Sequence, residues 1–470
     1  MSETEARFAV LRQSADADTV VEIERLVREG ADPELNRINA IAFAESRNLR
    51  LERVISAFLH ASRLGLFDMS WNLLCPGCGG VLDANATLKT VRREEYNCAL
   101  CAAGYKPTLD EMVEVSFTVN PRVRRIAAHD PHRLPIWDYQ RQIYWSSGIR
   151  FPEGKAFDEL IARMVLESVE LPAGDKCILS VQLPAEFCIV FEPVTHAAQF
   201  IDVKGEPTRE RQELTVVFNK LRAPTGTVTL RPGPLRLTIE NRSEHRTLPG
   251  LFVAGHDLHH LLGDRRAFLT AKQLLTNQTF RDIYRTDALD VDQRLKITSL
   301  TFLFTDLKGS TELYERVGDL VAYDLVKGHF SALNEAVSAE AGAVVKTIGD
   351  AVMATFPTPD RGLAAALRMR HAMRELNAGR PAEELQVKIG IHEGPCLAVS
   401  LNDRLDYFGQ TVNIAARVQG LATSRSIFAT QPVVDHPAAA RILGDAGLVP
   451  TPQHHSLKGI TEAYKVYEIP

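Results

Sequence analysis

Ile297-Thr-Ser-Leu-Thr-Phe-Leu-Phe-Thr-Asp306-Leu-Lys-Gly309-Ser-Thr311 is the stretch from which the last third of the chain is read. An apolar strand ends in an aspartate, and a glycine-containing turn then enters a helix. That order sets a carboxylate beside the free backbone N–H groups of a helix start, where a cation and a polyphosphate can bind together. Strand–Asp–turn–helix is common in α/β proteins, so the neighbouring segments decide what it means.

Downstream, Ala343-Val-Val-Lys346-Thr-Ile-Gly349-Asp350-Ala-Val-Met-Ala-Thr-Phe356 has apolar residues on both sides of an Ile-Gly-Asp turn, as in a hairpin whose tip presents Asp350. Asp306 and Asp350 together make a paired-carboxylate site for Mg²⁺, which uses one or two carboxylates and fills its other positions with water and phosphate oxygens. The plainer alternative is an Asp-capped turn. A third segment reads Leu405-Asp406-Tyr-Phe-Gly409-Gln-Thr-Val-Asn413-Ile-Ala-Ala-Arg417-Val418. Gly409 permits a tight entry into a helix and Ala415-Ala416 permits close packing. Asn413 and Arg417, four apart, project from one face and offer an amide and a permanently charged guanidinium to one ligand. Taken alone, the pair also fits a capped surface helix.

In this order and at these spacings the three segments resemble the class III adenylate/guanylate cyclase catalytic domain, over roughly residues 297–470. The resemblance implies an α+β fold with a ferredoxin-like βααββαβ sheet, working as a dimer with active sites across the interface. It makes Asp306 and Asp350 the ligands of two Mg²⁺ or Mn²⁺ ions, with the Leu307 carbonyl as a backbone ligand. It makes Lys346 and Asp406 the readers of the base, Asp406 being preferred to the nearby Asp403 by its Asp-Tyr-Phe-Gly context. A lysine donor suits adenine N1 and an aspartate acceptor suits the exocyclic amine, whereas guanine would mispair both contacts, so the expected substrate is ATP. Asn413 and Arg417 match the residues that position the ribose and stabilise charge on the α-phosphate. Lys458, in Ser-Leu-Lys458-Gly459, matches the phosphate-binding lysine. With every role in one chain, the expected assembly is a homodimer with two equivalent sites. One departure is Ile391-His-Glu-Gly-Pro-Cys396 and the residues after it, which replace an expected Gly-rich turn; Cys396 there reads as a packed thiol. The competing reading, from a different class, is a nucleotide-binding sensor with a degenerate cyclase domain, signalling through its N-terminal modules to DNA or a protein.

The chain of 470 residues is too long for one domain, and its 45% apolar and 24% charged residues are those of a globular protein. A net charge of −5 without long basic runs argues against nucleic acid or an anionic membrane surface as partner. No stretch approaches the ~20 apolar residues of a membrane span, and Met1–Gln13 lacks the order of a secretory signal, so a cytoplasmic protein is expected. Residues 1–70 read as a helical unit, with Leu51, Val54, Ile55, Phe58 and Leu59 on one face and Gly65 as a stop. A packing or dimerisation role is preferred to a helix-turn-helix DNA reader, because the basic stripe is missing.

Cys75-Pro-Gly-Cys78 and Cys98-Ala-Leu-Cys101, nineteen residues apart, have the spacing of a zinc ribbon within 71–111, a structural Zn²⁺ site with no open position. Residues 112–260 read as a β-sandwich-like module, from the alternation of Leu235, Leu237 and Ile239 and from strands at Ile178–Leu183 and Cys188–Phe191, with one helix near Phe157–Val169. Gly255-His-Asp-Leu-His-His260 reads as a solvated loop in preference to a metal cluster. Arg266–Thr286 reads as a helix within a linker spanning 261–296, and the catalytic segment then occupies 297–470. The upstream order of helical unit, CPxC ribbon, β-structure and the helix with Leu269-Thr-Ala-Lys-Gln273 and Phe280-Arg-Asp282 is similar to an N-terminal domain fused to bacterial cyclases, from which position a regulatory role is expected.

Overall fold

The computed structural model describes residues 2–91, 95–219, 226–284, 289, 294–378, 385–401, 404–423, 426–459 and 463–470. Asp403 and Thr286 lie outside them. The chain forms two compact units, one of residues 1–86, 90–107 and 111–269, the other of 87–89, 108–110 and 270–470. Among the described residues, no helix is long and apolar enough to cross a membrane.

The first unit begins with helices Glu3–Ser14, Ala17–Glu29, Ala40–Ser46 and Leu51–Arg63. Ser2, Asp16 and Asn39 accept backbone N–H groups at the first three starts, which satisfies donors a helix end leaves open. Val54, Ile55, Phe58 and Leu59 are buried along one face of the fourth, and Gly65, at φ +71°, turns the chain out of it. The Phe58 ring stacks on Phe117 at 4.9 Å and meets Phe43 and Phe67 edge-on at 5.2 and 5.3 Å, joining this helix to a three-stranded sheet of Phe67–Leu74, Val81–Asn85 and Val113–Val119. Further along, a three-stranded sheet (Lys176–Leu183, Gln212–Phe218, Gly233–Asn241) faces a five-stranded one containing Cys188–Glu192, Ala197–Val203 and Gly250–Val253. Leu235, Leu237 and Ile239 share one core there with Val190, Ile201 and Leu251, so the two sheets form a sandwich. The loop expected at Gly255–His260 is instead the start of a helix, His256–Gly263, because Leu258 and Leu261, three apart, both find buried positions.

In the second unit the expected single linker helix is two short ones, α1 (Ala271–Leu275) and α2 (Gln278–Ile283). The break has a side-chain cause: the Thr276 hydroxyl donates back to the Lys272 and Gln273 carbonyls, and the Asn277 side chain accepts the Phe280 N–H to start α2. There follow β1 (Leu295–Leu307), α3 (Ser310–Val317), α4 (Asp319–Ala339), β2 (Ala343–Ile348), β3 (Ala351–Phe356), α5 (Pro359–Asn377), β4 (Val387–Leu401), β5 (Arg404–Phe408), α6 (Gln410–Leu421), β6 (Ile427–Thr430), α7 (Gln431–Val434), α8 (Pro437–Asp445), β7 (Thr451–Ser456) and β8 (Ala463–Ile469). The order from β1 to β4 is the βααββαβ order expected, and β5, α6 and β6 follow it. The sheet runs β2-β3-β1-β4-β6-β8-β7, with β5 paired to the far end of β4. Where a turn was expected after Ile391, β4 continues to Leu401 and returns as β5.

Side chains alternate across the sheet and fix which layer lies on which face. Ile389 and Ile391 point into the core made with Leu333 and Val337 of α4 and Met369 and Met373 of α5. Gly390, between them, faces α6: a Cβ there would lie 2.1 Å from the Gln419 backbone nitrogen. Glycine at this position is what lets α6 lie directly on the strand.

Candidate active site

Asp306 stands near the end of β1, paired in register with Lys388 of β4, whose Nζ is 4.0 Å from its carboxylate. Asp350 follows Gly349, which at φ +64° makes the β2–β3 turn. The Thr305 hydroxyl accepts the Val352 N–H at 3.1 Å and ties the end of β1 to the start of β3, so the two acids are held near each other. Burial raises the Asp306 carboxyl above its ordinary pKa, the Asp350 charge raises it further, and Lys388 opposes both. Asp350 Oδ2 is buried and has no hydrogen-bond partner among the described residues. Two like charges, one of them with a buried and unpartnered oxygen, form a site that can hold a hard cation. Leu307, next along β1, is buried and pairs with Val387. His329 of α4 lies close enough to feel the Asp350 charge, yet burial brings its pKa down to about 4. A lone histidine on an apolar helix face gives no sequence signal of such a place.

Lys346 of β2 and Asp406 of β5, sixty residues apart, meet with Nζ 2.5 Å from Oδ2. The second carboxylate oxygen of Asp406 accepts the Tyr407 N–H at 2.8 Å. Asp406 is buried while Lys346 is partly exposed, so the pair opens outward on the lysine side. Tyr407 anchors it from below: its ring meets Phe302 of β1 edge-on at 5.6 Å and its hydroxyl donates to the Leu275 carbonyl at 3.2 Å.

α6 starts at Gly409, whose φ of +149° only glycine adopts freely, and its first turn is fastened by the Thr411 hydroxyl donating to the Pro395 carbonyl at 2.5 Å. Asn413 is exposed and Arg417 half-buried on this helix. The exposed Lys458 precedes Gly459 in a turn beside Arg417, since a Cβ on Gly459 would be 3.5 Å from Arg417 Nη2. Within one chain, then, the residues form three groups: the two acids, the Lys346–Asp406 pair, and Arg417 with the Lys458 turn.

Two residues of α2 had no chemistry assigned from sequence. Arg281 Nη2 donates to the Leu405 carbonyl at 2.6 Å and lies 3.5 Å from the Val345 carbonyl, and Gln278 Oε1 accepts the Val344 N–H at 2.8 Å. With Lys346, Thr347 and Arg404 they line a cavity of about 260 Å³. Contacts to backbone carbonyls leave no residue-type pattern from which this role is legible.

In the first unit, Cys75, Cys78, Cys98 and Cys101 bring their Sγ atoms within 4.8 Å of one another, with 3.6 Å between Cys75 and Cys101 and between Cys78 and Cys98. The Cys78 and Gly80 N–H groups point at the Cys75 and Cys78 sulfurs, as they do where thiolates are gathered around a metal. Among the described residues this is the one metal-capable cluster of three or more His, Cys, Asp or Glu.

The fold places a strand-end acid, a hairpin-tip acid and a lysine–aspartate pair on one βααββαβ sheet, and residues 293–440 match the adenylate and guanylate cyclase catalytic domain. Residues 1–282, more than half of the chain, match a family of unknown function (DUF5939), and the chain belongs to that family. Among curated relatives, an adenylate cyclase of Anabaena cylindrica is 28% identical over 185 residues, covering 36% of each chain. Adenylate cyclase 2 of Rhizobium meliloti is 33% identical over 132 residues (26% of this chain, 36% of that one), and the human guanylate cyclase soluble subunit beta-2 is 31% identical over 131 (26% and 21%). The matches thus span about a third or less of the length of these relatives. Of solved structures, the adenylyl cyclase CyaB from P. aeruginosa aligns at 21% identity and a TM-score of 0.33 over 38% of this chain and 96% of that one. An adenylate/guanylate cyclase/hydrolase from Silicibacter pomeroyi aligns at 27% and 0.32 over 38% and 98%.

Proposed function

We propose that the protein is an adenylate cyclase that converts ATP to 3′,5′-cyclic AMP and pyrophosphate at two equivalent sites, each shared between two copies of the chain. The observation that carries this reading is the Lys346–Asp406 pair, with a donor and an acceptor side by side at 2.5 Å. Adenine offers an acceptor at N1 next to a donor amine, and the pair complements both; guanine reverses each contact and would leave both mispaired, the buried Asp406 at the greater cost.

Asp306 and Asp350 suit divalent cations, because their oxygens are hard anionic donors and one of them is buried without a partner among the described residues. They would hold two Mg²⁺ or Mn²⁺ ions, with the Leu307 carbonyl as a further ligand. When bound, such ions lower the pKa of the ribose 3′-hydroxyl and offset the triphosphate charge. The remaining work belongs to the protein. Asn413 orients the ribose so that its 3′-oxygen lines up with the α-phosphorus, Arg417 stabilises charge on the α-phosphate as the bond to pyrophosphate breaks, and Lys458 holds the outer phosphates. No protein nucleophile is needed. The metal aspartates come from one copy and the base and transition-state residues from the other, so the monomer is inactive.

The four cysteines suit a structural Zn²⁺. A tetrahedron with ~2.3 Å zinc–sulfur bonds has edges of ~3.8 Å, and the 3.6 Å sulfur separations lie close to that value. With four protein ligands no coordination site is left for substrate. The first unit acts as a regulatory module of a cytoplasmic enzyme in this reading. Purified protein with Mn²⁺ or Mg²⁺ should form cyclic AMP from ATP, and Asp306→Ala and Asp350→Ala should each abolish it. Faster conversion of GTP than of ATP would overturn the base-reading argument.

A further inference from the structure

We infer that Arg281 is a positioning residue for purine choice: its guanidinium grips the strands that carry Lys346 and Asp406 and sets the spacing between those two side chains. The inference rests on the proposed reading of that pair. Its ground is where the contacts fall. The carbonyls that Arg281 reaches belong to Leu405, at 2.6 Å, and Val345, at 3.5 Å, the residues immediately before Asp406 and Lys346. Gln278, one turn earlier on α2, fastens the same edge by accepting the Val344 N–H at 2.8 Å.

β2 and β5 are not hydrogen-bonded neighbours in the sheet: β2 pairs with β3, and β5 pairs with β4. The spacing between Lys346 and Asp406 is therefore not fixed by a shared strand ladder. α2 spans the gap. Arg281 also lies 5.8 Å from the Tyr407 ring centroid, which places it behind the next residue along β5 as well. Its Nη1 is buried with no hydrogen-bond partner among the described residues. Keeping a guanidinium there with one nitrogen unpaired is costly, and a hydrophobic residue would serve packing better. What the guanidinium adds is a simultaneous hold on two carbonyls through the two N–H groups of Nη2.

The consequence concerns discrimination. A loosened brace lets Lys346 and Asp406 drift against each other, and the pair then complements adenine less sharply while guanine is rejected less strongly. Misplacement by a fraction of an ångström leaves turnover possible and erodes the preference first. Arg281 falls within residues 1–282, so the purine-reading edge of the catalytic domain is completed by the end of the neighbouring family segment.

The test uses the full-length chain, wild type against Arg281→Ala and Arg281→Lys. Two quantities are read: the ratio of kcat/KM for ATP over GTP with Mn²⁺, and the affinities of ATP and GTP measured by displacement of a fluorescent nucleotide with Ca²⁺ replacing Mn²⁺. Arg281→Ala should lower the ATP-over-GTP ratio about tenfold in both, chiefly through a higher KM for ATP, and Arg281→Lys should fall between it and wild type. An unchanged ratio, or equal losses for both purines, overturns the inference. Should Arg281→Ala not fold, Arg281→Lys and Gln278→Ala decide on the same ratio, and no change in either overturns it. A wild-type protein that forms no cyclic nucleotide defeats the proposed activity, yet the displacement ratio still tests the brace. A wild-type protein that binds neither purine defeats both.

Discussion

Two buried histidines of the second unit make its stability respond to pH. Burial holds both His329 and His392 near a pKa of about 4, against an ordinary value of about 6.5. His329 Nδ1 faces the Met373 sulfur at 3.3 Å and His392 Nδ1 meets the Thr430 hydroxyl at 2.8 Å; burial dominates at both, and at His329 it outweighs the Asp350 charge and backbone, which favour protonation. Between pH 6.5 and 4 the unfolded chain binds protons that the folded chain does not. Stability is therefore full above pH 6.5 and is lost as pH falls toward 4, with a slope of up to about 1.4 kcal/mol per pH unit for each histidine. Urea denaturation of this unit at pH 7, 6 and 5 should show the decline, and His392→Asn should flatten it; equal slopes in variant and wild type would contradict the assignment. At this scale the sequence was informative where the chemistry is local. Asp306 at the end of an apolar strand and Asp350 at a glycine turn are visible as motifs, whereas His329 near Asp350 depends on how a helix lies across the sheet.

α6 shows what one glycine does for an element. Its closeness to β4 depends on Gly390, where a methyl group would collide with the backbone of Gln419 and not with a yielding side-chain end. Gly390→Ala should push α6 outward, cost about 1–3 kcal/mol of stability, and carry Asn413 and Arg417 out of position. A cyclase assay should then show kcat reduced at least about tenfold, with KM for ATP changed far less, because Lys346 and Asp406 sit on other elements. A variant with wild-type kcat would show that α6 does not position Asn413 and Arg417 for the proposed reaction. The entry at Gly409 and the close-packing pair Ala415-Ala416 made this helix readable in advance. The full length of β4 was not: the residues after Ile391 stand where a Gly-rich turn was expected, yet β4 pairs with β1 and β5 through the region and the strand continues. The split between α1 and α2 was hidden in the same way, because Leu274, Leu275 and Phe280 keep a helical rhythm across a break made by Thr276 and Asn277.

For the whole molecule, the division of the chain does not follow sequence order. Residues 108–110 belong to the second unit: Leu109 N–H donates to the Lys296 carbonyl at 3.0 Å, and Asp110 accepts the Thr298 N–H at 2.6 Å and pairs with Lys272 at 3.2 Å. Asp110 and Lys272 are both largely buried, so removing one leaves the other as an uncompensated charge. Asp110→Ala in the full chain should destabilise the second unit by about 3 kcal/mol, seen as an earlier calorimetric transition; an unmoved transition would mean that the segment is only laid against it. No sequence pattern marks Asp110, because its partners lie more than 150 residues away and only the fold joins them.

The account depends most on sites assembled from two copies of the chain, and subunit complementation tests that directly. Asp306→Ala/Asp350→Ala and Asn413→Ala/Arg417→Ala proteins should each be inactive alone. Unfolded together and refolded, they should recover roughly a quarter of the wild-type rate of cyclic AMP formation, since half of the dimers then hold one intact site. No recovery on mixing, or full activity from either protein alone, would contradict a site shared across the dimer.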